Sequence, residues 1–155
     1  MNNQELITSF YQAFQDLDAA TMADCYHPEA TFKDPAFELQ GAEIGQMWAM
    51  LIERSKGQLD ISFSGIQADD TSGQANWEAK YTFSASKRPV HNVIQAEFKF
   101  RDGKIIQHID QFDFWKWSRM ALGPIGYLLG WSSFLQNKVR KQARVGLEMY
   151  MGRGL

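Results

Sequence analysis

Three segments near the start of the chain carry hydrophobic residues at the spacing of an α-helix. The first predicts a helix over roughly residues 3–16. The second predicts a short helix that begins after the N-cap Asp18 and ends at Pro28. The third is expected between Gly41 and Gly57. The hydrophobic stripe of this third helix consists of Ile44, Met47, Trp48, Leu51 and Ile52.

From residue 59 onward the pattern changes to alternation of apolar and polar residues, which is typical of β-strands. Loops at Asp69–Gly73, Ser86–Pro89 and Arg101–Gly103 separate the alternating segments. A short strand over Thr31–Asp34, stopped by Pro35, precedes the third helix. Three helices followed by an antiparallel meander imply an α+β fold, with the helices packed on one face of a bent sheet.

The last strand of the meander places a histidine and an aspartate on one face. Because strand side chains alternate, His108 and Asp110 are expected to share a face with Ile106, Phe112 and Phe114. Polar groups among apolar neighbours are costly to bury unless they are paired or hydrogen-bonded. The two residues therefore either satisfy each other in a core or line a pocket.

Composition narrows the class of protein. A chain of 155 residues, 45% hydrophobic and 14% aromatic, fits one globular domain with a sizeable core. The net charge of −2 gives no electrostatic footprint for nucleic acid. A single cysteine, Cys25, forms neither an intrachain disulfide nor a metal or redox motif. The first residues lack the basic and apolar regions of a signal peptide, so we expect a cytoplasmic protein.

The tail of the chain differs from the rest. Residues 120–137 carry no formal charge and are interrupted by three glycines and Pro124, so they are too broken to predict a transmembrane helix. We expect residues 1–115 to form the domain and residues 116–155 a helical extension packed on it or on a second subunit. The alternative is a helix that contacts a membrane surface. The basic residues after the uncharged segment are Lys138, Arg140, Lys141 and Arg144.

The order of elements and three local motifs carry a family resemblance. The motifs are Phe10–Phe14, Ala30–Pro35 with its Asp-Pro step, and Gly103–Asp110. Over roughly residues 3–115 the chain resembles the nuclear transport factor 2-like superfamily. That superfamily includes ketosteroid isomerase, limonene epoxide hydrolase and SnoaL-like polyketide cyclases. The resemblance implies a cone-shaped half-barrel around an apolar pocket, and a homodimer formed through the outer face of the sheet.

The resemblance assigns roles to three acidic and basic residues. Asp34 matches the general base of ketosteroid isomerase, whereas Ala96 and Phe10 stand where that family has its protonated acid and its tyrosine. Asp110 matches the acid or base of limonene epoxide hydrolase and the SnoaL-like cyclases. His108 is similar to the histidine that often precedes this aspartate in SnoaL-like sequences.

One further departure separates the chain from the epoxide hydrolases. The strand segment Glu78–Tyr81 stands where those enzymes carry an arginine and a second aspartate. With these departures, the resemblance implies a cyclase-like site, with His108, Asp110 and Asp34 in an aromatic pocket. The expected pocket walls are Tyr11, Phe14, Phe32, Trp48, Trp77, Tyr81, Phe98 and Phe112.

Two functions follow from these residues. The first is an enzyme without metal or cofactor that acts on a hydrophobic carbonyl or polycyclic substrate, with Asp110 as acid or base, His108 as its partner and Asp34 as a second carboxylate. The second is a non-catalytic module that binds an apolar ligand or a protein. Structural alternatives remain open: Asp34 caps the turn at Pro35, the His–Asp pair serves stability, and the aromatic residues form a core.

Overall fold

A curved six-stranded sheet forms the body of the protein, and the computed structural model describes residues 1–152. The strands are β1 (Tyr26–Lys33), β2 (Glu38–Gln40), β3 (Asp60–Ala68), β4 (Ser72–Phe83), β5 (Arg88–Arg101) and β6 (Lys104–Gln111). The helices are α1 (Asn3–Gln15), α2 (Ala19–Asp24), α3 (Ala42–Ser55), α4 (Phe114–Leu122), α5 (Pro124–Leu129) and α6 (Ser133–Gly152).

The order of strands in the sheet is β2-β1-β6-β5-β4-β3. Strands β3 to β6 form the expected antiparallel meander, and β1 joins it by pairing with β6 in parallel. Helices α1 and α3 contact the sheet, and the sheet does not close into a barrel. The predicted α+β half-barrel with N-terminal helices is therefore confirmed.

The first and third helices form where their sequence patterns predict them. The side chain of Asn2 caps α1 by accepting a hydrogen bond from the Glu5 backbone N–H at 2.8 Å. Gly41 precedes α3 with a φ of 61°, a conformation that L side chains rarely adopt. A Cβ atom there would also lie 3.3 Å from the Pro28 carbonyl oxygen. Only glycine fits this turn without strain.

The second helix is shorter than predicted, because it ends at Asp24 rather than at Pro28. Pro28 lies inside β1, between Tyr26 and Thr31, where the pairing with β6 shifts register. Strand β2 pairs only with residues 31–33 of β1. A proline is tolerated there because no ladder hydrogen bond requires its missing N–H. As a consequence Tyr26 belongs to the sheet and not to the helix.

The start of β6 also differs from strict alternation. Lys99 is opposite Gln107, but Phe100 is opposite Ile105, so Ile106 forms a bulge. Ile105 is therefore the fully buried residue, and the predicted inward position of Ile106 is wrong. At the other end, Phe114 begins α4 and does not continue the strand. His108 and Asp110 keep their inward orientation between these two deviations.

The buried stripe of α3 differs from the prediction at one position. Met50 is almost fully buried, whereas the predicted Leu51 is 37% exposed. Glu43, Met50 and Arg54 lie on one side of α3, and this side faces α6. The spacing within α3 could not reveal a second covering helix, which is why Met50 was missed.

The tail packs back onto the domain. Helix α4 contacts β5, and Trp117 and Ala121 form a second small core with Val90. Helix α6 begins near this second core, where Val139 packs, and reaches the main core at the fully buried Leu147. No helix within residues 1–152 is long and apolar enough to cross a membrane.

Candidate active site

A chain of buried hydrogen bonds crosses the interior of the half-barrel. Trp48 Nε1 donates to the Tyr26 hydroxyl at 3.0 Å, and this hydroxyl is 2.7 Å from His108 Nδ1. His108 Nε2 is 2.8 Å from Asp110 Oδ1, which also accepts from Trp77 Nε1 at 3.3 Å. We call these five residues the relay. The structure thus brings the predicted His–Asp pair together on the inner face of the sheet.

Counting donors and acceptors gives one consistent arrangement of protons in the relay. The Tyr26 oxygen accepts from Trp48, so its own O–H is free to donate to His108 Nδ1. His108 then carries its proton on Nε2 and donates to Asp110. Every N–H and O–H of the relay thereby has an acceptor. Both bonds to Asp110 end on Oδ1, which leaves Oδ2 outside the relay.

Packing holds the imidazole of His108 in place from several sides. The ring is fully buried, with its centroid 4.4 Å from that of Phe98 and 5.0 Å from that of Phe32. Phe32 meets it edge-on, whereas Tyr26 is stacked at 6.0 Å. Rings at these separations attract each other and restrict rotation. The orientation of His108, and through it that of Asp110, is therefore fixed by the fold.

A second buried tyrosine lies beside the relay without joining it. The Tyr11 hydroxyl is fully buried and has no hydrogen-bond partner among residues 1–152. Burial raises the pKa of Tyr11 well above its ordinary value, and the nearby charge of Asp110 raises it further. Tyr11 therefore keeps its proton and presents an unused donor close to Asp110.

Asp34 lies at the end of β1, close enough to Asp110 for the two charges to interact. Its Oδ1 accepts hydrogen bonds from the backbone N–H of Ala36 at 2.7 Å and of Phe37 at 2.6 Å. Burial, followed by the charge of Asp110, raises the pKa of Asp34 to about 7, although these hydrogen bonds and Arg140 act in the opposite direction. The residue caps the turn at Pro35 and also carries a carboxyl that titrates near neutrality.

The region around Asp34 is the border between the main core and the second core. Tyr81 and Phe112 are only partly buried and pack against both cores. The Tyr81 hydroxyl accepts from Trp117 Nε1 at 2.9 Å, and burial raises its pKa, with a further contribution from the charge of Asp34. The carboxyl group of Asp34 and the phenol of Tyr81 therefore lie near this border, and Asp34 is also close enough to Asp110 for their charges to interact.

Helix α6 crosses the turn that carries Asp34. Arg140 Nε donates to the Pro35 carbonyl oxygen at 2.9 Å, and Gln136 Nε2 donates to the same oxygen at 3.3 Å. One turn further along, Arg144 pairs with Glu43 of α3 at 2.6 Å. The tail thus lies across this end of the half-barrel, between the second core and α3.

The expected pocket walls pack mainly against one another. Six of the eight, namely all except Tyr81 and Phe112, are at most 7% exposed and belong to the main core. Two surface concavities lie elsewhere, one at the start of α1 and one on the outer side of the sheet beside Val93. In this conformation the inner end of the half-barrel is filled by aromatic side chains.

Sequence reasoning identified the His–Asp pair and Asp34 but missed three residues of the surrounding hydrogen-bond network. Tyr26 was missed because Pro28 was interpreted as the end of a helix. Trp117 and Arg140 were missed because the packing of a tail cannot be read from its own pattern. Apolar and polar residues alternate from Tyr26 to Phe32, and this strand pattern is the signal that could have revealed Tyr26 as part of the relay.

Comparisons with known proteins agree with the fold. Residues 7–108 match the family model of the SnoaL-like domain. None of the curated proteins matches the chain.

Several solved structures are similar at low sequence identity. An LEH-like epoxide hydrolase from M. tuberculosis is 19% identical, with 80% of this chain and 92% of that one covered and a TM-score of 0.58. TerC, co-crystallized with polyporic acid, is 16% identical over 75% and 95% of the two chains, with a TM-score of 0.62. A nuclear transport factor 2-like protein of unknown function from Cytophaga hutchinsonii is 12% identical over 73% and 92%, with a TM-score of 0.57. At these identities the similarity establishes the fold. Together with the match to the SnoaL-like family model, it confirms the superfamily resemblance.

Proposed function

Because the chain belongs to the SnoaL-like domain family, we propose that it binds a small hydrophobic carbonyl compound beside Asp110 and Asp34 and acts on it by acid–base catalysis. The observation that carries the proposal is the relay, which fixes the orientation of a buried carboxylate through His108. A carboxylate held in this way is suited to remove a proton from a carbon next to a carbonyl group.

The roles of the two carboxyl groups follow from their surroundings. Asp110 presents Oδ2, the oxygen outside the relay, to the substrate, and His108 keeps it in position. Asp34, with a pKa of about 7, is present in both protonation states at neutral pH. It can donate a proton to the substrate or accept one from it. The pair therefore supplies a base and an acid in one site.

Two phenols are available to orient the carbonyl oxygen. Tyr11 has a buried hydroxyl without a partner, and a ligand oxygen would satisfy it. Tyr81 accepts a hydrogen bond from Trp117, which leaves its own O–H able to donate. A donor aimed at the carbonyl oxygen stabilises the negative charge that develops when the neighbouring carbon loses its proton.

Two of the similar solved structures support an oxygenated organic compound as the substrate. TerC was crystallized with polyporic acid, and the M. tuberculosis relative is an epoxide hydrolase. Polyporic acid and epoxides are both oxygenated organic compounds. For this chain we expect a compound of the same general kind, carried into the aromatic interior by its apolar surface.

A non-catalytic binding module is the second candidate, and one observation favours it. The expected pocket walls fill the interior, and Asp34 is used by the turn that it caps. A ligand would then have to displace aromatic side chains without meeting a poised base. The enzyme and the binding module differ in whether a bound ketone loses a proton.

Hydrogen exchange of a ketone in heavy water tests the proposal. The full chain is mixed with 2-tetralone in D2O, and the loss of the protons next to the carbonyl is followed by NMR. We expect the protein to accelerate the exchange and Asp110→Asn to reduce the acceleration by about 100-fold or more. The matched control is Asp60→Asn, an exposed carboxylate of β3. Acceleration that is absent, or equal in Asp110→Asn and the control, would contradict the proposal.

A further inference from the structure

Exposed hydrophobic side chains are concentrated in one part of the tail. Of the twelve large hydrophobic residues that are exposed within residues 1–152, seven lie between residues 115 and 134. Trp131 is 73% exposed, Leu128 72% and Phe134 70%. Concentrations of this kind mark interaction surfaces. We call the seven residues the apolar patch; they are Trp115, Ile125, Tyr127, Leu128, Leu129, Trp131 and Phe134.

The apolar patch is built on a closely packed helical hairpin. Helices α4 and α5 approach at two glycines, where a Cβ on Gly126 would clash with the Ser118 carbonyl group and one on Gly130 with the Ser118 hydroxyl. The indole of Trp131 donates to the Leu128 carbonyl oxygen at 2.9 Å. The hydrophobic side chains are therefore held outward by the fold instead of collapsing onto it.

The charged residues within the segment that carries the apolar patch have one sign. From residue 114 to residue 147 the sequence contains six lysines and arginines and no aspartate or glutamate. Arg119 lies over the rings of Trp115 and Tyr127, at 4.3 and 5.7 Å from their centroids. Its buried Nε has no hydrogen-bond partner among residues 1–152. The segment thus combines exposed aromatic rings with three exposed lysines, Lys116, Lys138 and Lys141.

We propose that the apolar patch docks on the surface of a bilayer that contains anionic phospholipids. Tryptophan and tyrosine favour the level of the lipid headgroups, and flanking lysines and arginines favour a negatively charged leaflet. Leu128 and Phe134 would enter the boundary with the acyl chains, while Lys138 and Lys141 contact phosphates. Helices α4 to α6 lie on the surface and do not span it.

A second copy of the chain is the competing occupant, and charge argues against it. Two copies that met through the apolar patch would bring two positively charged segments together, because residues 114–147 carry no carboxylate and only Arg144 of their six cations is ion-paired, with Glu43 and Glu148. Like charges at close range disfavour such an interface. The proposal does not depend on the catalytic role of Asp110, because the apolar patch lies outside the half-barrel.

Vesicle binding by the full chain tests the proposal. The protein is sedimented with vesicles of equal parts phosphatidylcholine and phosphatidylglycerol, and tryptophan emission is recorded in parallel. We expect binding, together with a blue shift of the emission, which the double variant Trp131→Ser, Phe134→Ser reduces by about tenfold or more. Lys138→Glu with Lys141→Glu should reduce binding by about tenfold, and added salt should weaken it.

Matched controls test whether binding depends on the apolar patch itself or on exposed apolar side chains and net charge in general. Met149→Ser removes an equally exposed apolar residue outside the apolar patch, and Lys80→Glu with Lys99→Glu changes the net charge equally on the sheet. Neither should change binding by more than about twofold. Absence of binding, equal binding to vesicles of pure phosphatidylcholine, or controls as damaging as the test variants would overturn the proposal. A dimer in lipid-free solution that Trp131→Ser, Phe134→Ser converts to monomer would also overturn it.

Discussion

At the scale of single residues, two buried tyrosines with different surroundings reveal how much the relay stabilises the protein. Tyr26→Phe leaves the Trp48 N–H and His108 Nδ1 without their partner, so we expect the free energy of unfolding to fall by about 1–3 kcal/mol. Tyr11→Phe removes a hydroxyl that has no partner, so its cost should be about zero. Denaturant unfolding of both variants measures the difference. Equal losses of unfolding free energy in the two variants would show that the hydrogen bonds of Tyr26 do not contribute to stability.

Asp34 makes the stability of the protein depend on pH. Its pKa is about 7 in the folded protein, against 3.8 for an unperturbed aspartate. Because the folded state binds this proton more tightly, ionisation lowers stability progressively as the pH rises from about 4 to about 7, and the loss is complete above that range. Asp34→Asn keeps an oxygen that accepts from Ala36 and Phe37 but cannot ionise.

We therefore expect Asp34→Asn to melt at a higher temperature than the unchanged protein at about pH 8, and to show a flatter stability curve between about pH 4 and 7. Asp60→Asn serves as the control, because that carboxylate is exposed. Thermal melts across this pH range provide the measurement. Parallel curves of melting temperature against pH for Asp34→Asn and the unchanged protein would show that Asp34 ionises in the ordinary range. They would contradict its proposed role as an acid.

The individual residues show where sequence reasoning succeeds. Alternation alone placed His108 and Asp110 on the inner face, because the bulge at Ile106 lies before them and does not affect their register. The same reasoning misplaced Ile106, since a bulge inserts one residue without changing the apolar character of the strand. Tyr26 was missed because a proline stops helices and also occurs within a strand where it has no ladder bond to make.

At the scale of elements, the docking of α6 is the feature that sequence could predict least. The uncharged and basic segments indicated helix, but the partner surface on α3 becomes visible only when Met50 and Glu43 are seen to face the tail. The turn at Pro35 was correctly expected, although its contacts with Arg140 and Gln136 of α6 were not. Such contacts join residues about a hundred positions apart, for which a local pattern carries no information.

Leu147 tests whether α6 belongs to the core. Because its side chain is fully buried, Leu147→Ala should lower the free energy of unfolding by about 2–5 kcal/mol. Val145→Ala, two residues away and 47% exposed, should cost no more than about 0.5 kcal/mol. Chemical denaturation compares the two. Similar small losses for both would mean that the tail does not pack on α3 in solution.

At the scale of the whole molecule, the expected homodimer stays a prediction. The outer side of the sheet carries a concavity lined by Val93, Gln95, Gln111, Phe112 and Asp113. Val93 is 50% exposed, which suits an interface better than open water. We expect a dimer in analytical ultracentrifugation, and Val93→Asp should convert it to monomer. A mass of 17.8 kDa for the unchanged chain at micromolar concentration would contradict this assembly.

Whether Asp110 acts as a catalytic base or only stabilises the fold is decided by measuring turnover and stability on the same Asp110→Asn protein. The asparagine oxygen can still accept from His108 and Trp77, so the relay remains bonded while the base is lost. We predict that exchange of 2-tetralone protons falls by about 100-fold or more, while the free energy of unfolding changes by no more than about 1 kcal/mol. The opposite result, in which stability falls and exchange declines only in proportion to the folded fraction, would show that the His–Asp pair serves the fold alone.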